Sequence, residues 1–148
     1  MSVSEKISTD YKDALKAGDK NKVSVLRMIK SSIKYKEIEK RAPLTDEEVQ
    51  AVLMTSVKRS KESIEQFSKA GREDLANREK EEMLVVQEYL PTQLGEDEVR
   101  KMVQDVIAEE GASGPKDTGR VMKSVMARLK GQADGKLASK IVKELLEA

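Results

Sequence analysis

The 148-residue sequence contains no cysteine and no histidine. Thiolate zinc sites, thiol nucleophiles, disulfides and histidine acid–base chemistry are therefore excluded together. Tryptophan is also absent, and one Phe and three Tyr bring the aromatics to only 3%. A chain so poor in aromatics is a helical protein rather than a sheet protein. The same scarcity speaks against recognition of single-stranded RNA by base stacking. Charge of one sign is missing too. Lysine and arginine number 28 against 27 acidic residues, a net charge of +1, so no global field draws the chain to nucleic acid or membrane. No apolar run approaches the roughly 18 residues that span a bilayer. The opening MSVSEKISTDYKDAL has no apolar stretch after a basic start, so it is not a secretory signal. These absences lead to the expectation of a cytoplasmic protein with no membrane, metal or cofactor.

What is present is helical punctuation. Ser2 and Glu5 have capping-box spacing and open a helix through Ile7, Tyr11, Ala14 and Leu15. Gly18 ends it, and Asp19 caps a second helix from Lys20 to about Arg41, with Val25, Leu26, Ile29, Ile33 and Ile38 inward. Ala42-Pro43-Leu44 interrupts the pattern. Thr45 and Glu48 form another capping box, followed by a long helix with Val49, Val52, Leu53, Val57, Ile64 and Phe67 inward and Gly71 as its C-cap. Asp74 is placed to cap a fourth helix, with Leu75, Met83, Val86 and Leu90 inward. The strongest break is Leu90-Pro91-Thr92-Gln93-Leu94-Gly95, which divides the chain into lobes at 1–90 and 91–148. Glu96 to Glu110 is a fifth helix with Val99, Met102, Val103, Val106 and Ile107 inward. Pro115 suits the first turn of a sixth helix and Asp134 the N-cap of a seventh. The fold class is thus all-α: a four-helix N-terminal lobe and a small three-helix C-terminal lobe.

Charge is segregated locally. The second helix, residues 20–41, carries eight cations against two anions. Residues 91–110 carry two cations against six anions, and residues 111–148 carry eight cations against four anions. A neutral C-terminal lobe therefore has a positive end, the hairpin Gly119–Leu146. Val121, Met122, Val125, Met126 and Leu129 line one apolar face there, and Leu137, Ile141, Leu145 and Leu146 the other. We read Met122 and Met126 as core. Lys123, Arg128, Lys130, Lys136 and Lys140 fall between the apolar positions. Gly131 reads as the helix C-cap, and with Gly135 it permits close approach of a partner backbone. The start of the last helix offers N–H groups to a phosphate. Arg27, Lys30 and Lys34 on the second helix form a second, smaller cationic group.

No catalytic constellation stands out. The carboxylates lie beside lysines, a pattern of solvated faces rather than of a site with shifted pKa. Ser31, Ser32, Ser56, Ser60 and Ser63 invite a Ser–Lys reading with Lys58 or Lys61, but no strand–turn–helix elbow accompanies them. The two glycines of Lys130–Gly135 follow no strand and match no phosphate-loop spacing. Recognition of RNA by shape and phosphates is the mode these residues support.

Four segments resemble the GatB/YqeY family, and its free-standing YqeY-like members above all. They are Val25-Leu-Arg-Met-Ile-Lys-Ser-Ser32, Glu88-Tyr-Leu-Pro-Thr-Gln-Leu94, Thr118-Gly-Arg-Val-Met122 and Lys130-Gly-Gln-Ala-Asp-Gly-Lys-Leu137. GatB belongs to the glutamine-dependent amidotransferase that acts on Glu-tRNA(Gln) or Asp-tRNA(Asn). The related region there is a helical C-terminal appendage that engages the tRNA body. The ATP, metal and glutaminase sites lie outside it. The resemblance therefore implies two helical lobes and a non-catalytic tRNA-binding accessory, contacting tRNA through Lys123, Arg128, Lys130, Gly131, Gly135, Lys136 and Lys140, with Arg27, Lys30 and Lys34 in support. It leaves two rivals. One is an interaction module docking on an amidotransferase or an aminoacyl-tRNA synthetase. The other is a share in carbon–nitrogen ligase activity with glutamine as amido-N-donor.

Overall fold

The computed structural model describes residues 1–147, and all of the regular structure among them is helical. Seven α-helices follow in order: α1 (Val3–Ala17), α2 (Lys20–Lys40), α3 (Asp46–Lys69), α4 (Glu73–Gln87), α5 (Glu96–Glu110), α6 (Thr118–Leu129) and α7 (Gly135–Glu147). A 3₁₀ turn, Pro115–Asp117, precedes α6, so Pro115 opens that turn rather than α6 itself.

The helix starts follow the sequence closely. Both capping boxes form: Ser2 with Glu5, and Thr45 with Glu48, each side chain accepting from the other's backbone N–H. Asp19 accepts from the Lys22 N–H and caps α2. α4 departs from expectation. Its N-cap is Arg72, with no side-chain cap, and Asp74 lies inside the first turn. There Asp74 takes the Arg72 guanidinium at 3.1 Å. At the chain reversals, Gly18 and Gly111 adopt left-handed geometry, where a side chain would be strained. Arg41 does the same at φ 61° without being glycine, which ends α2 one residue earlier than the sequence suggests.

The chain separates into two compact units, Met1–Leu90 and Pro91–Ala148. In the first, Ile7, Val25, Leu26, Ile29, Ile33, Val49, Leu53, Val57, Val86 and Tyr89 form the core. Two residues expected inside are not. Leu15 is 49% exposed and Ile38 is 66% exposed, each in the last turn of its helix. Ala76 and Tyr89 are buried instead. Tyr89 is tolerated because its hydroxyl donates to the Asp10 carboxylate at 2.6 Å, so no polar atom is stranded.

The second unit packs α5, α6 and α7 around Val99, Val103, Val106, Val121, Val125, Leu129, Ala138, Ile141, Val142 and Leu146. Met102, Ile107 and Met122 pack against this core. Met126 does not. It is 41% exposed, so the core reading holds for one methionine of the pair.

Candidate nucleic-acid interface

The α6–α7 hairpin is built to present a turn. α6 ends on Lys130, whose φ of 46° is left-handed, and Gly131 follows at 82°. The cap is therefore Lys130, not Gly131, and a lysine holds a conformation that glycine adopts more readily. The turn is pinned from outside. Gln93 donates from Nε2 to the Gly131 carbonyl at 2.9 Å and to the Pro91 carbonyl at 2.9 Å. The Leu94 N–H donates to the Gln132 carbonyl at 2.8 Å. Pro91–Leu94 and Lys130–Ala133, parts of two segments that carry the family resemblance, thus hold one another. Nothing in the sequence pattern places Gln93 beside this turn; the contact spans 38 residues of chain.

Asp134 caps α7 by accepting from the Lys136 N–H at 3.1 Å. This changes the reading of the helix start. The Asp134 carboxylate takes the Lys136 N–H and places a negative charge at this helix start, which disfavours an anion there. Gly135 is flanked by Met126 across the hairpin. A Cβ at that position would lie 3.6 Å from the Met126 Cε, an ordinary van der Waals contact with the end of a flexible side chain.

Lys123, Lys130, Lys136 and Lys140 are all exposed and have no ion-pair partner among the described residues. Lys136, Lys140 and Lys143 recur at helical spacing and make one stripe along α7. Arg128 differs. Its guanidinium pairs with Glu109 on α5, and that hydrogen bond holds it above its ordinary pKa. Arg120 is likewise paired, with Asp117 at 3.2 Å. The hairpin's uncommitted cations are therefore the lysines.

The second cationic group lies on the N-terminal unit. Arg27 donates from Nε and Nη2 to the Tyr11 hydroxyl, both at 3.3 Å. Lys30 sits over the Tyr11 ring, 4.5 Å from its centroid. Lys34 has no ion pair among the described residues. These side chains line a cleft between α1 and α2 of about 610 Å³, together with Tyr35.

A larger groove of about 940 Å³ runs between α2, α3 and α4, and Ser31, Ser32, Ser56, Ser60 and Ser63 line it. The Ser32 hydroxyl donates to the Met28 carbonyl at 3.2 Å and is occupied by its own helix. Among the described residues, no helix is long and apolar enough to cross a membrane. No group of three or more acidic residues among them is placed to hold a metal ion.

A family model described as Yqey-like protein matches residues 4–146. The chain is similar to the altered inheritance of mitochondria protein 41, mitochondrial, of Pyrenophora tritici-repentis: 31% identical over 147 residues, covering 97% of this chain and 80% of that protein. The protein of the same name from Vanderwaltozyma polyspora is 31% identical over 118 residues, covering 75% of this chain and 64% of that one. A component of the glutamyl-tRNA(Gln) amidotransferase of Thermococcus gammatolerans is 30% identical over 131 residues, covering 84% of this chain but 19% of that much longer protein. The names of the first two relatives place them in mitochondria, which overturns the cytoplasmic expectation. That expectation rested on absences, and absences do not distinguish one aqueous compartment from another.

Proposed function

The chain belongs to the Yqey-like protein family, and from that premise we propose that it is a non-catalytic accessory that holds tRNA by shape and backbone phosphates through the α6–α7 hairpin. One observation carries this reading: Lys123, Lys130, Lys136 and Lys140 stand exposed on this hairpin without ion-pair partners among the described residues. Arg128 on the same hairpin is by contrast committed to Glu109, as Lys69 on α3 is to Glu65 at 2.8 Å. Unpaired cations on one hairpin give up no ion pair on meeting a phosphate backbone. The similarity to a protein named for glutamyl-tRNA(Gln) supports tRNA as the nucleic acid. Arg128, already paired, orients α6 against α5 and contributes little to binding. The names of the relatives support mitochondria as the place of work.

Titration of tRNA into the protein at a series of salt concentrations tests the proposal. Four phosphate contacts give a slope of log K against log salt of roughly −3 to −4. Lys136→Gln with Lys140→Gln makes that slope shallower by about 2. Absence of detectable binding at low salt would sink the reading.

A further inference from the structure

The aromatic poverty of the sequence conceals how its tyrosines are distributed. Two of the three, Tyr11 and Tyr35, line the cleft between α1 and α2, and Tyr35 also borders the larger groove on the other side of α2. They do different things there. The Tyr11 ring is covered by Lys30, and its hydroxyl is bound by Arg27, so Tyr11 organises the cations. Tyr35 is 63% exposed, and no hydrogen bond or ring contact among the described residues occupies it. A large planar side chain left so open at the edge of a cationic cleft is a free π-face.

The charge of the cleft is one-sided. Arg27, Lys30 and Lys34 line it, and none of them pairs with a carboxylate among the described residues. Its one acid is Glu37. That carboxylate accepts from the Leu44 N–H at 3.2 Å and is drawn toward the α2–α3 connection. A phosphate entering the cleft meets three cations, with the nearest anion already engaged elsewhere.

We infer that the α1–α2 cleft binds an unpaired nucleotide of RNA, its phosphate held by Arg27, Lys30 and Lys34 and its base stacked on Tyr35. A cationic groove with an adjacent open aromatic is the pairing that single strands need. The cleft is distinct from the lysine turn on α6–α7, which offers cations without an aromatic. The inference rests on the proposal that this chain binds RNA, and adds a single-stranded element to it.

The test uses the full chain and a six-nucleotide oligoadenylate, followed by fluorescence anisotropy at low salt. Tyr35→Ala is expected to weaken binding about tenfold, the scale of one lost base stack, while Tyr35→Phe keeps the wild-type affinity. Lys30→Gln with Lys34→Gln is expected to flatten the salt dependence by roughly 1.4 for a single strand. Oligoadenylate is expected to quench tyrosine emission in wild type and less in Tyr35→Ala. Equal affinity for an abasic backbone of the same length overturns the stacking assignment. So does unchanged oligoadenylate affinity in Tyr35→Ala. Binding of the cleft to vesicles containing phosphatidylserine, lost in the lysine variant while oligoadenylate fails to bind, overturns it in favour of a lipid headgroup. The two readings separate cleanly. Loss of tRNA affinity in the Lys136 and Lys140 variants without any oligoadenylate binding defeats the cleft alone. Oligoadenylate binding that needs Tyr35, with tRNA affinity indifferent to Lys136 and Lys140, defeats the hairpin alone.

Discussion

Asp10 and Tyr89 lie 79 positions apart and meet through one short hydrogen bond. The Tyr89 hydroxyl holds the Asp10 carboxyl below its ordinary value of 3.8, with Lys6 adding to the effect. Burial, and then the same bond, push the Tyr89 phenol well above its ordinary 10.0. The signs follow. Asp10's contribution is present above pH 3.8 and is lost as the pH falls through its lowered value. Tyr89's is complete below pH 10.0 and is lost only as the pH rises through its raised value. Tyr89→Phe should cost about 1–2 kcal/mol in urea unfolding at neutral pH. The gap between variant and wild type should narrow on acidification below about pH 4; a pH-independent gap would mean that the hydroxyl stabilises without help from the charge of Asp10. The pair is invisible in the sequence because its signal is a contact across 79 positions, which no local pattern records.

Helix ends show where local rules succeed and where they yield. Ser2, Asp19, Thr45 and Asp134 are legible as caps because a cap is completed within three residues. Asp74 breaks the rule because Arg72, two residues away, competes for its carboxylate with a charge-assisted pair of hydrogen bonds. Lys130 hides as a cap because glycine follows it and both residues turn left-handed, in a turn that Gln93 and Leu94 hold from outside. That position carries a trade-off. Lys130→Gly relieves the left-handed strain and should stabilise the C-terminal unit by roughly 0.5–1 kcal/mol. It also removes one of the uncommitted cations and should weaken tRNA binding a few-fold. Thermal unfolding and tRNA titration of this one variant should move in opposite directions.

Each of the two compact units has its own apolar core. The C-terminal unit is short enough for its stability to be marginal, so each buried side chain matters more there. Ile141, fully buried in the core of that unit, makes the contrast testable. Ile141→Ala should cost about 2–5 kcal/mol. We expect it to open residues 91–148 to protease while residues 1–90 persist as a resistant helical fragment; simultaneous loss of both would show that the units fold as one. Net charge conceals local charge: the chain totals +1, yet one hairpin carries exposed lysines, and one cleft three cations, without ion-pair partners among the described residues.

Helix identity, helix order and most of the buried stripe are determined by the sequence, because periodicity and caps act over a few residues and need no partner to be read. The division near Pro91 is visible for the same reason: proline removes a backbone donor wherever it stands. Which charges remain available is decided by the fold. Arg128 and Lys123 look alike in the sequence, and only the approach of α5 brings Glu109 to one of them. Met126 and Met122 share a helix and a spacing, yet packing tucks one against the core and leaves the other well exposed. The gathering of Tyr11 and Tyr35 on a common cleft depends on α1 lying beside α2, a relation that composition cannot express. The hairpin Gly119–Leu146 thus owes its cationic face to the sequence. Which of its cations stay unpaired is a matter of tertiary structure, because α5 brings Glu109 to Arg128 and no carboxylate to Lys123, Lys130, Lys136 or Lys140 among the described residues.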